Sequence, residues 1–144
     1  MNAKADWIKF DWAERGLAGL GAAGCLVLTA VIWGSISQIQ TMWPLPALYL
    51  IEVVALAVAA AWGIFRGDAA GSGLAWAAFG ALVGFAILAG FSVGFYYLPI
   101  AAFLGLAALW HDRRAWRQLP LHLGLALLIA VAQGALMLTV LQFL

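Results

Sequence analysis

The run LAWAAFGALVGFAILAGFSVGFYYLPIAAFLGLAALW, Leu74 to Trp110, is 37 residues long and holds no Asp, Glu, Lys or Arg. A helix crossing the ~30 Å hydrocarbon core uses about 20 residues, within a range of roughly 17–25. Thirty-seven is too many for one crossing and enough for two. The turn between them falls at Gly90-Phe91-Ser92-Val93-Gly94-Phe95-Tyr96-Tyr97-Leu98-Pro99, where two glycines and a serine precede a proline that disrupts a continuing helix. The segment therefore predicts a third span over residues 73–91 and a short fourth over 97–110. A re-entrant hairpin or one kinked long helix, giving four spans in all, is the alternative.

The rest of the chain agrees with a lipid setting. Of 144 residues, 67% are hydrophobic and 9% charged, against roughly 45–50% and about 25% in soluble domains. The fold class predicted is all-α, a polytopic transmembrane helical bundle forming one domain over residues 1–144. Span one covers 12–37, with Asp11 and Glu14 spaced as a capping box and a Gly/Ala-rich stretch to Cys25 suited to close helix contact. The mixed charges ahead of it, and the length of the run, read as a retained span rather than a cleaved signal. Span two covers 44–65, opened by proline in its first turn, and Gly67–Gly73 reads as a flexible loop. Span five covers 120–143. Five spans place Lys4, Lys9, Arg15, Arg66, Arg113, Arg114 and Arg117 on one side of the membrane. By the positive-inside rule that side is cytoplasmic, with the C-terminus outside.

Few residues carry chemistry. Glu52 is the one formally charged residue well inside a span, where a charge costs on the order of 2.5–3.5 kcal/mol on insertion scales. It is a candidate proton- or ligand-binding carboxyl, or a packing group. Tyr49, on the same helical face, and Gln133 in the last span are its candidate partners. Gly80, Gly84, Gly90 and Gly94 form two Gly-x-x-x-Gly pairs, a spacing that lets helices approach closely, within the chain or between chains. Arg113, Arg114 and Arg117 are candidates for lipid-headgroup contact and for setting topology. Tyr96 and Tyr97 read as interfacial rings at the turn. His111 and His122 read as boundary residues on the headgroup side, partly solvated. Cys25 reads as a buried packing residue, a lone thiol that excludes an internal disulfide. No cofactor or metal is expected, and no clustered basic stripe points to nucleic acid.

The sequence Phe91-Ser-Val-Gly-Phe-Tyr-Tyr-Leu-Pro99 resembles the Phe-Ser-x-Gly-x-x-Tyr-Leu-Pro turn of small bacterial membrane proteins of unknown function, in which it joins a glycine-rich span to a second apolar stretch. The resemblance covers about a quarter of the chain and implies a membrane hairpin, with no activity attached. Two functions follow as expectations. One is a non-enzymatic accessory or oligomerising subunit whose partners are lipids, copies of itself or the subunits of a membrane complex. The other is a small proton-coupled transporter using Glu52.

Overall fold

The computed structural model describes residues 3–38, 45–89, 93–113 and 116–142. Helices α1 (Ala3–Ile36), α2 (Leu45–Arg66), α3 (Ala69–Leu88), α4 (Leu98–Asp112) and α5 (Leu119–Gln142) follow one another, and a 3-10 turn, Gly94–Tyr97, leads into α4. Five segments are long and apolar enough to cross a membrane: Trp12–Ile36, Ala47–Arg66, Ala70–Leu88, Gly94–Asp112 and Leu119–Thr139. Two of them come from the uncharged run, which therefore folds as two helices rather than one kinked long helix. The reversal is made by the Gly94 amide, which donates to Ala89 O at 2.8 Å, while the Ala89 amide donates to Phe85 O at 2.8 Å.

Successive helices run in opposite directions, which sorts the ends. Among the described residues every Asp, Glu, Lys and Arg except Glu52 lies at the end where α1 begins and α2 finishes. We call this the basic end. Exposed Trp12, Trp62 and Trp116 lie toward it, and exposed Trp33, Phe95 and Tyr96 toward the other. Amphipathic rings at both levels are what the two lipid–water boundaries favour.

Helix α3 is the centre of the bundle. It packs against α2, α4 and α5, and α1 closes the far side against α2 and α4. Helix α5 packs chiefly on α3, leaving only 22% of its span buried against 61% for that of α3. Lipid tails are as apolar as leucine, so these contacts rest on van der Waals fit and interhelical hydrogen bonds. Small residues supply the fit. A Cβ built on Gly80 would overlap the Ala126 carbonyl of α5, and one on Gly84 would sit 2.6 Å from Ala130 O. Near the basic end Gly63 of α2 and Gly71 of α3 approach so closely that a Cβ on either would meet the other's carbonyl.

Several boundaries and roles differ from the sequence reading. Helix α1 runs unbroken through Asp11, so Asp11 and Glu14 cap no helix start; Glu14 is instead buried inside the bundle. The loop expected over Gly67–Gly73 is confined to Gly67 and Asp68. Gly67 takes φ +70°, a left-handed turn that suits glycine. Asp68 then caps α3, accepting from the Gly71 amide at 2.6 Å. Gly94 does not join helices; it lies tight against Ala89 within its own turn. Gly90, paired with it in the sequence, lies outside the described residues. Tyr96 is exposed as expected, but Tyr97 is fully buried. Its hydroxyl shares a 2.9 Å hydrogen bond with Thr29 of α1, and its ring meets Phe85 edge-on at 5.8 Å.

Gly80→Val should force α3 and α5 apart, because the obstacle is a backbone carbonyl. The expected cost is about 1–3 kcal/mol or more, read as a lower melting temperature by tryptophan fluorescence in detergent. Gly124→Ala, built where nothing lies within 4 Å, should leave the melting temperature unchanged. The cap gives a pH signature. The Gly71 amide, and after it Arg66, hold the Asp68 carboxyl below the usual carboxylate range. Its contribution is therefore complete above the ordinary value of about 4 and is lost as pH falls through the lowered one. The melting-temperature gap between the native chain and Asp68→Ala should hold from pH 7 to about pH 4 and shrink below it.

Candidate functional site

Polar side chains collect at two depths. The first site carries the one charged residue remote from the basic end. Glu52 is the eighth residue of the 22-residue α2, so it lies ~10 Å below the uncharged end of that helix rather than at its middle. Gln133 of α5 donates from Nε2 to Glu52 Oε1 at 2.8 Å. The two helices meet at this level because both pack on α3, and the missing side chain at Gly84 leaves room for Gln133, whose Cβ lies 3.2 Å from where a Gly84 Cβ would stand. Gln133 is buried, while Glu52 is only partly enclosed. Its second oxygen has no hydrogen-bond partner among the described residues.

Tyr49 does not join them. Its ring packs against Phe85 at 6.1 Å, and its hydroxyl is enclosed without a hydrogen-bond partner among the described residues. A buried hydroxyl left unpaired costs about 1–3 kcal/mol. On the next face of α2, Leu50, Ile51, Val54, Ala55 and Val58 face Thr29 and Trp33 of α1 across an apolar groove of about 340 Å³.

The second site was not legible as a site in the sequence. At the basic end Asp112, the last residue of α4, is 3% exposed and accepts from three donors on two other helices. Ser72 Oγ, in the first turn of α3, donates to Oδ1 at 2.5 Å, and Trp76 Nε1, one turn further, donates to Oδ2 at 2.8 Å. His122 of α5 brings Nδ1 to Oδ2 at 2.6 Å. Beside this cluster, His111 Nδ1 lies 3.3 Å from Glu14 Oε1 of α1. Both histidines are thus withdrawn from water, with side-chain exposures of 10% for His111 and 7% for His122. This corrects the expectation of a partly solvated boundary role. The reason is that each has a buried carboxyl to bond, and a buried polar group with a partner avoids its desolvation cost.

Serine, histidine and aspartate together invite comparison with a nucleophile–base–acid triad. In a triad the acid bonds one imidazole nitrogen and the serine the other. Here Ser72 Oγ lies 3.5 Å from Nδ1, the nitrogen already engaged by Asp112, and directs its own proton to the acid. The arrangement fastens α3, α4 and α5 together and lacks the relay geometry of a triad. Among the described residues no three His, Cys, Asp or Glu side chains come together as a metal set.

Arg113 and Arg117 are exposed at the same end, and the Arg113 guanidinium lies 5.1 Å from the Trp110 ring centre. Arg114 lies outside the described residues. Cys25 is fully buried in the contact of α1 with α2, its thiol 3.7 Å from Val53 O. No protein-family model, curated protein or solved structure matches the chain.

Asp112→Ala should destabilise the bundle by about 3–5 kcal/mol, since it strands buried donors on α3 and α5. His122→Leu alone should cost less. The double variant should lose less than the sum of the two, with a coupling of roughly 0.5–3 kcal/mol, as for residues in one hydrogen-bond network. Unfolding by denaturant in micelles, followed by tryptophan fluorescence, measures all four corners of the cycle.

Proposed function

We propose that this chain is a non-enzymatic multi-pass membrane subunit that works by associating with other helices inside the bilayer. The observation that carries the reading is the half-enclosed Glu52 carboxyl, bonded once by Gln133 and otherwise without a partner among the described residues. Ionisable groups at membrane depth usually face protein or water. The other buried acids, Glu14 and Asp112, are bonded within the bundle. Glu52 is the one acid whose surroundings a second protein surface would complete. The proposed setting is a bacterial cytoplasmic membrane, with the basic end toward the cytoplasm by the positive-inside rule.

A second reading, a proton-coupled exporter, uses the same carboxyl. It is favoured by the open Glu52 oxygen together with the unpaired Tyr49 hydroxyl three residues away on the same helix. An exporter would lose substrate-induced proton release in Glu52→Gln, whereas an association surface keeps its hydrogen-bonding capacity in that variant.

Native mass spectrometry of the chain, extracted gently from its own membrane, tests the reading. We expect it to leave the membrane in a defined assembly, whether with other proteins or with itself. A bare monomer with bound lipid alone would overturn it.

A further inference from the structure

Resting on that reading, we propose that the partner covering Glu52 is a second copy of this chain, seated where α2 and α5 flank α3, with Glu52 and Gln133 close to the two-fold axis. The hydrocarbon around this level has neither donors nor acceptors to offer. Whatever covers the carboxyl must therefore bring polar groups of its own to a depth of ~10 Å below the end of α2. A second copy brings them at the required depth, because an antiparallel arrangement is excluded by the basic end and parallel copies share their levels.

The hydrogen-bonding inventory is also self-complementary. A primary amide has two N–H donors and an acceptor oxygen. Gln133 spends one N–H on Glu52 Oε1, which leaves one donor and the amide oxygen on Gln133 and one acceptor oxygen on Glu52. A two-fold interface demands this property: each partner must offer on one surface both what it lacks and what the other lacks. Two copies exchanging Gln133 N–H for Glu52 Oε2 form one such bond in each direction, using the remaining Gln133 N–H and the second Glu52 oxygen of both.

The surroundings permit the approach. Helix α5 packs chiefly on α3 and is the least buried of the five spans at 22%. On α2, Leu48, one turn from Glu52, is 49% exposed.

Cysteine cross-linking in native membranes tests the proposal, in a Cys25→Ala background that leaves one introduced thiol. Leu48→Cys should give an oxidant-induced disulfide between two copies, and Val27→Cys, exposed on α1, should not. Adding Glu52→Leu should reduce the Leu48→Cys dimer roughly tenfold at equal protein-to-lipid ratio, a size consistent with interhelical hydrogen bonds in bilayers. Adding Glu52→Gln should preserve it. A second measurement guards against misfolding: Glu52→Leu must retain the native melting temperature to within a few degrees for its loss of dimer to count, and Leu48→Cys with Glu52→Ala serves in its place if it does not. Cross-linking of Leu48→Cys to a different protein would overturn the second copy while leaving association intact. A chain that stays monomeric in nanodiscs and cross-links to nothing would overturn both. A dimer that persists undiminished in Glu52→Leu and Glu52→Ala would overturn the role given to the carboxyl.

Discussion

Backbone-to-backbone approach along α3 is the constraint on which the bundle depends. Three of its glycines, Gly71, Gly80 and Gly84, stand where a methyl group would collide with a carbonyl of α2 or α5. In water such contacts would supplement burial of a hydrophobic face. In lipid that driving force is missing between helices, and the depth of interlocking becomes the main source of attraction. One helix approached this closely from several sides leaves little room for large side chains, which is why so much of the buried core is alanine: Ala75, Ala78, Ala81 and Ala86 on α3 and Ala57, Ala60 and Ala61 on α2.

The polar groups follow from the same closeness. Ser72 and Trp76 reach Asp112 and His122 because the helix starts and ends at the basic end are drawn together around α3. Glu52 and Gln133 reach one another across α3 because Gly84 presents no side chain between them. The two sites differ in completeness. At the basic end the Asp112 carboxyl is bonded from α3 and α5 and lies deep within protein. At the other depth the Glu52 carboxyl has one bond and partial cover. The first is closed within the bundle, and the second is left open on one side.

Much of this architecture is legible in the sequence. The uncharged run from Leu74 to Trp110 is too long for one crossing, and the one-sided basic residues require an even number of crossings between Arg66 and Arg113. Those two constraints lead to five helices, and five are found. The sequence also placed Gly80 and Gly84 on a contact face, though not which helix they would meet. The failures came from local motifs. Asp11 and Glu14 have the spacing of a cap, yet a helix already in progress gives them nothing to cap. His111 and His122 looked like boundary residues because hydropathy reports depth and not direction. Their partners Glu14, inside α1, Ser72, in the first turn of α3, and Asp112, at the end of α4, are brought to one level by the topology, but which of them face inward is decided by helix rotation. Rotation is set by packing, and the apolar residues run around every span too uniformly to reveal it.

The distribution of charge along the fold also bears on how such a chain enters a bilayer. The connections at the uncharged end, residues 37–44 and 89–97, contain no Asp, Glu, Lys or Arg. Helices α1 and α2, and likewise α3 and α4, are therefore hairpins with neutral tips. A hairpin inserted tip first drags its leading connection and the helix residues nearest it through the hydrocarbon, where an isolated ion faces a Born penalty of tens of kcal/mol. Neither tip carries one. Translocation of the α3–α4 hairpin is thus opposed chiefly by backbone and amide groups, whereas that of α1–α2 must also carry the Glu52 carboxyl across.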